Sequence, residues 1–185
     1  MPFSATQSTL EKYLKAKLSA TSTPTEEYFA LLTFTMTRFQ LLEQELKSYL
    51  TTAHKQIKRE VGELFEYRWD QEAVLSLSLG QLVPAFRKHG GDPALCKRIK
   101  DLVKGRNKIA HEGFVTPFQE FEHGVTVDLA KTRLPALRQL AKDVEGTPLL
   151  VAEARSVIHH KLGALQLRRH RPVDPDDAST LSQAE

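Results

Sequence analysis

The chain has 185 residues, 41% of them hydrophobic and 26% charged, and a formal net charge of +3. That length suits one domain with a tail, and that apolar share excludes global disorder. The mildly basic balance, with a pI near 9.0, is compatible with an anionic partner but does not require one.

Glycine is sparse and segments of 3.6-residue period dominate, so the fold class is all-α. A short leading helix is expected over residues 4–18, within a leader of 1–22. Thr23-Pro24-Thr25-Glu26 marks the clearest helix start: Thr23 can cap, Pro24 suits the first helical position and Glu26 can close a capping box. From there Tyr28, Leu32, Thr35, Phe39, Leu42, Leu46, Tyr49 and Ala53 recur at spacings of three and four. This helix should run close to Lys58 and extend past its own core. Residues 60–69 are ambiguous. Leu77 to Val83 begins a helix that stops at His89-Gly90-Gly91, a strong C-terminal signal. Asp92-Pro93 restarts the chain as cap and first helical residue of a helix ending near Gly113. His123 to Val127 reads as a break or short extended piece. Helices resume over about 128–144 and from Thr147-Pro148 to about Arg168, and 171–185 reads as a flexible, disordered acidic tail. The helical domain thus spans 23–170.

Cys96 cannot form an internal disulfide and has no zinc-ligand neighbours, which points to a reducing interior. No apolar run approaches the ~18 residues of a membrane span. Met1 to Thr9 lack the basic start and apolar block of a secretion signal. The reading is a cytoplasmic protein without a membrane partner, metal or cofactor.

The segment most able to carry chemistry is Arg106-Asn107-Lys108-Ile109-Ala110-His111. On a helix, Leu95, Ile99, Leu102, Val103, Ile109 and Ala110 form one apolar stripe with Arg106 at its centre. A guanidinium stays charged, and burying it unpaired is very costly, so it should face a cleft, a subunit seam or an anionic partner. His111 lies about 140° round and about 7.5 Å along from Arg106, on the face that carries Lys97, Lys100, Lys104 and Lys108. The two converge poorly on a regular helix, unless Gly105 or Gly113 distorts it or a second subunit completes the site. The chemistry suits metal-independent cleavage of RNA. His111 can move protons, Arg106 can stabilise a phosphorane, Asn107 can orient either, and the lysines can track a phosphate backbone. No carboxylate cluster suited to Mg²⁺ accompanies them.

As R-N-x-x-x-H, with Leu79-Gly80-Gln81-Leu82 opening the preceding helix and His111-Glu112-Gly113-Phe114 following, the chain resembles the HEPN superfamily of small helical bundles. The resemblance spans roughly residues 24–165 by element order and is carried mainly by 77–114. It implies a HEPN-like bundle of four to six helices and a homodimer in which two motifs build one composite cleft. The activity it implies is an endoribonuclease giving 2′,3′-cyclic phosphate ends. By position, Arg106 would stabilise the scissile phosphate, His111 would transfer protons and Asn107 would support both. A toxin, phage-defence or stress-response setting, with an inhibitor or antitoxin protein, belongs to the same implication. Branches silenced by AMP transfer carry a tyrosine two residues after the histidine. Gly113 stands there, so that control is not supported.

Plainer readings stand beside these. Arg106 can pair with a glutamate of the long first helix, His111 can be a helix-end histidine favoured by the dipole, and the lysine row can be a solvated face. His54, His89 and His123 have no helpful spacing, and adjacent His159 and His160 point to different faces. Trp69, Phe65 and Tyr67 fit core packing better than base stacking, and Arg168 to Arg171 most simply end the last helix. The alternative function is a non-catalytic HEPN-like module binding a nucleotide or partner protein. A four-helix adaptor without a nucleic-acid role is the third.

Overall fold

In the computed structural model, which describes residues 12, 16, 23–61, 65–113 and 133–169, one long helix, α1 (Pro24–Val61), supports everything else. Its capping box forms as expected: Glu26 N–H donates to Thr23 Oγ1 at 3.2 Å, and Thr23 N–H donates to Glu26 Oε2 at 3.1 Å. All eight positions of its three-and-four series are buried, and Thr35 satisfies its hydroxyl by donating to Leu31 O at 2.7 Å. No residue beyond Ala53 is buried on α1, so the helix does outrun its core.

Five more helices follow: α2 (Gln71–Ser76), α3 (Leu79–Lys88), α4 (Pro93–Glu112), α5 (Leu134–Val144) and α6 (Thr147–Arg169). Each of them packs against α1. The larger core joins Phe39, Leu42, Leu46, Tyr49 and Leu50 of α1 to Leu82 and Phe86 of α3, Ile99 and Leu102 of α4, and Val151 of α6. A second cluster joins Tyr28, Leu31, Leu32 and Phe34 to Leu134, Leu137 and Ala141 of α5. The described residues contain no strand, and no helix among them is long and apolar enough to cross a membrane.

The α3–α4 hairpin follows its local signals. Gly90 takes φ +86°, which L side chains rarely adopt, and Gly91 N–H donates to Phe86 O at 2.9 Å. Asp92 Oδ1 then accepts from Leu95 N–H at 2.7 Å and starts α4 with Pro93 behind it. The α5–α6 corner has its own device. Arg98 of α4 donates to the carbonyls of Asp143 and Glu145, at 3.0 and 3.2 Å, and so occupies orphan acceptors at the end of α5.

Two helix starts and one short helix differ from expectation: the helix expected from about 128 begins at Leu134, with Arg133 as its cap. α3 begins at Leu79, because Ser78 is the cap and Gln81 Oε1 accepts from its N–H at 3.0 Å. α2 was not anticipated. Asp70 caps it by accepting from Ala73 N–H at 3.1 Å, but at six residues, none of them buried, it is too short to show a period. Residues 65–69 ahead of it are non-helical. The leading helix of 4–18, apart from helical Lys12 and Ala16, lies outside the described residues, as do the break at 123–127, the stretch 128–132 and the tail 171–185.

A Cβ at position 91 would lie 2.5 Å from the ring of Phe86, which is fully buried and cannot retreat. Gly91→Ala should therefore destabilise the protein by about 1–3 kcal/mol, as overpacking does. Urea unfolding monitored by circular dichroism measures it, and an unchanged midpoint would refute the tight contact.

Candidate functional site

α4 is regular from Pro93 to Glu112. Gly105 does not break it. Its missing side chain instead admits Leu140 of α5, whose methyl would lie 2.5 Å from an added Cβ. Gly113 is also right-handed, with φ −66° and ψ −34°, and its carbonyl accepts from the buried Tyr28 hydroxyl at 3.0 Å. Neither glycine re-aims His111. On this helix Arg106 and His111 keep their separation of about 140° and about 7.5 Å. Within one chain they do not meet.

Arg106 is half-buried at the end of the stripe laid down by Leu95, Ile99 and Leu102, which are buried. Towards the motif that stripe loses cover: Val103 and Ile109 are half-buried, and Ala110 is exposed rather than packed. Arg106 Nη1 donates to Asn107 Oδ1 at 3.2 Å, so the structure joins these two. Among the described residues no carboxylate pairs with Arg106. The glutamates of α1 that were candidates are committed elsewhere. Glu27 holds Arg138 through two bonds of 2.7 Å, Glu43 holds Lys47 at 2.7 Å, and Glu45 faces Arg155. His111 is exposed, and so are Lys97, Lys100, Lys104 and Lys108. At about 100° per residue all five fall within an arc of about 80°. The predicted residues thus form two groups on one helix: Arg106 with Asn107, and His111 within the basic row.

Beside the basic row a cleft of about 680 Å³ opens between α4 and α5. Its apolar lining comes from Gly105 and Ile109 of α4, Leu137 and Leu140 of α5, and Tyr28 of α1. Its polar lining is Lys108, Glu112, Arg133, Gln139 and Asp143. Lys108 belongs to both the row and the cleft.

Several polar residues escaped the sequence reading. Arg38 is buried, with its guanidinium 4.9 Å from the centre of the Phe34 ring. Cys96 lies near Tyr49, and Gly113 lies against Leu32, so α4 runs antiparallel to α1 over equal spans of residues, 96–113 and 32–49. That register sets Arg106 level with Arg38 and Phe39. Glu45 is buried as well; Arg155 Nη2 lies 3.1 Å from its Oε2, close but poorly aligned for a hydrogen bond. Burial raises the Glu45 pKa above the usual carboxylate value, and Arg155 only partly opposes this. The periodicity of α1 gave no warning of either residue.

The fold also brings together His54 and His89, which spacing alone did not connect. Their ring centres are 4.5 Å apart, and Trp69 stacks on His54 at 4.8 Å with planes 5° from parallel. Tyr67 Oη lies 2.7 Å from His54 Nδ1. Trp69 and Tyr67 are half-buried in this contact, but Phe65 is 72% exposed, against the expectation that it packs in the core. His159 and His160, adjacent on α6, are both exposed.

No known family's sequence profile matches the chain, and no curated protein or solved structure is detectably similar to it.

Desolvation lowers the His54 pKa, and the neighbouring His89 and Lys88 lower it further. The folded state therefore favours neutral imidazole. The stability this group contributes is present above its unfolded pKa, near 6.5, and is lost as pH falls through the folded value. We expect the difference in urea midpoint between the wild type and His54→Gln to shrink from pH 8 to pH 5, with Trp69 emission shifting to the red in the wild type. A difference that stays constant across that range would contradict the assignment.

Proposed function

We propose that the chain is a metal-independent endoribonuclease built as a HEPN-like bundle, whose Arg106, Asn107 and His111 act at a homodimer seam. The observation that carries this reading is Arg106 itself. A half-buried guanidinium at the end of an apolar stripe, with Asn107 as its side-chain partner and no carboxylate among the described residues, is poised for an anion from outside the chain. The regularity of α4 then requires a second copy, because one chain holds Arg106 and His111 on different faces. The uncovered arc between them, with Val103, Asn107 and Ala110, is where the copies would meet about a twofold axis.

In this mechanism a ribose 2′-oxygen attacks its own phosphorus and the bond to the 5′-oxygen breaks, leaving a 2′,3′-cyclic phosphate and a 5′-hydroxyl. Two copies of His111 supply the proton transfers: one accepts the proton of the 2′-hydroxyl and the other protonates the leaving oxygen. Arg106 stabilises the added charge on the phosphorane, with Asn107 fixing the guanidinium plane. Lys97, Lys100, Lys104 and Lys108 hold flanking phosphates. A second reading keeps the motif as a dimer contact in a non-catalytic binding module. What favours it is the same separation of Arg106 from His111, together with a cleft of ligand size beside them.

His111→Ala and Arg106→Ala should each lower RNA cleavage by about 10²-fold or more while the protein stays folded. Wild-type cleavage should survive EDTA and leave cyclic phosphate ends. Full activity in His111→Ala, or loss of wild-type activity on chelation, would exclude the mechanism. Sedimentation should show a dimer at micromolar concentration; a monomer would exclude the composite site.

In a cleavage-dead His111→Ala background, Lys104→Gln and Lys108→Gln should each weaken RNA binding and make its salt slope shallower by about one unit. Superimposable salt titrations would show that the row is only a solvated face.

A further inference from the structure

On α1, Gln44, Lys47, Ser48, Thr51 and Thr52 recur at helical spacing, a polar stripe beside the buried stripe of Leu42, Leu46, Tyr49 and Ala53. Both α2 and α6 pack on α1, and where the three helices adjoin lies a depression of about 390 Å³. Its lining is that polar stripe with Gln71 and Leu75 of α2 and Arg155 of α6. We propose that this pocket binds a phosphate monoester by its terminal phosphoryl group. None of Arg106, Asn107 and His111 lines it, so the proposal stands apart from the endoribonuclease reading.

The lining holds two cations and no carboxylate. Each cation has an acid behind it. Lys47 Nζ lies 2.7 Å from Glu43 Oε1, and Arg155 Nη2 lies 3.1 Å from Oε2 of buried Glu45. These acids tether the cations and cancel much of their net charge, so selection of a guest falls on hydrogen bonds. Arg155 is the central group. Its contact with Glu45 is poorly aligned, and no group among the described residues accepts a hydrogen bond from its guanidinium. A guanidinium whose charge is compensated but whose N–H fork is unspent suits a second oxyanion.

The hydroxyls repeat the pattern. Thr33, Thr35, Thr37 and Thr52 of α1 each donate to the carbonyl four residues back, as mid-helix hydroxyls commonly do. Ser48 and Thr51, both half-buried on the pocket, make no such bond. Nor do the side-chain amides of Gln44 and Gln71 find a partner among the described residues. The unspent donors are therefore the Arg155 fork, the remaining N–H groups of Lys47, two hydroxyls and two amides. A carboxylate brings too few oxygens to meet them. A terminal phosphoryl group brings three, with a charge of about −1.5 to −2 at pH 7, whereas a diester keeps a single charge. The volume falls within the usual span of small-ligand sites, and Leu75 offers apolar surface to the carbon part of the guest. The same reading gives α2 a role: it buries none of its own residues yet supplies two of the lining side chains.

The test titrates the full chain by calorimetry with ribose 5-phosphate, ribose, dimethyl phosphate and acetate. Ribose 5-phosphate should saturate and bind about tenfold or more tightly than each of the others. Arg155→Gln should lower that affinity about tenfold or more, but it also leaves Glu45 buried without its cation and can unfold the chain. Ser48→Ala and Thr51→Val avoid that risk, because neither hydroxyl holds the fold. Each should weaken ribose 5-phosphate about threefold or more at an unchanged melting temperature. In spectra of the isotope-labelled chain, the same ligand should shift the backbone amides of residues 47–52 and 71–75. Equal affinity for acetate or for ribose, no saturable binding, indifference to both hydroxyl variants, or shifts confined to residues 97–111 would each overturn the proposal.

Discussion

The constraint on which the functional reading depends is that α4 remains a single helix through Gly105. A glycine in mid-helix costs about 1 kcal/mol relative to alanine, so its presence needs a reason. The structure supplies one in Leu140, which occupies the volume that a side chain at 105 would fill. Close approach of α4 and α5 replaces the kink that the sequence alone allowed. From this follow the fixed phase of Arg106 against His111, the shape of the adjoining cleft and the separation of the two motif residues within one chain. Asp92 at one end, and Tyr28 bonded to Gly113 at the other, hold the helix in that register.

α1 is the counterpart of this constraint. It buries residues around a wide arc because helices lie on more than one side of it, and this brings Arg38 and Glu45 into the interior with Phe39 and Leu46. Buried charge is tolerated only with compensation. Glu45 faces Arg155, Arg38 lies over Phe34, and Glu27 clasps Arg138 at the rim. The acidic groups of α1 are therefore engaged by α5, by α6 and by α1 itself. Arg106 on α4 receives none of them, even though the antiparallel register sets it level with buried Arg38. Half-buried, it keeps part of its surface in solvent, and Asn107 is its side-chain partner among the described residues.

How much of this was legible in the sequence depended on range. Caps and stops are local, and Thr23 with Glu26, Gly90 with Gly91, and Asp92 with Pro93 could be read within a few residues of the boundaries they set. The α1 stripe was equally clear, because eight positions in one phase leave little freedom. α2 was not, since six residues hold fewer than two turns. Ala110 shared the phase of the apolar stripe yet is exposed, because phase says which way a residue points and not whether a neighbour stands there. His54 and His89 are far apart in the chain, and only the packing of α3 against α1 makes them neighbours. Glu112 and Asp143 drew no attention in the sequence for the same reason: each is an ordinary surface carboxylate until α4 and α5 are placed side by side.

The division of α4 into faces gives the molecule an electrostatic order. Going round the helix from the cleft shared with α5 one meets Lys108, then His111 among the lysines, then Asn107, and finally Arg106 at the edge of the core. The basic row therefore has the cleft on one flank and Asn107 with Arg106 on the other. The lysines need no ion pairs to hold the fold, since the helix is capped and packed without them, and their mutual repulsion on an exposed face falls when phosphates approach. Glu112 and Asp143 set negative charge, and Arg133 positive charge, along the cleft, so the field beside the row is mixed while the row itself carries one sign.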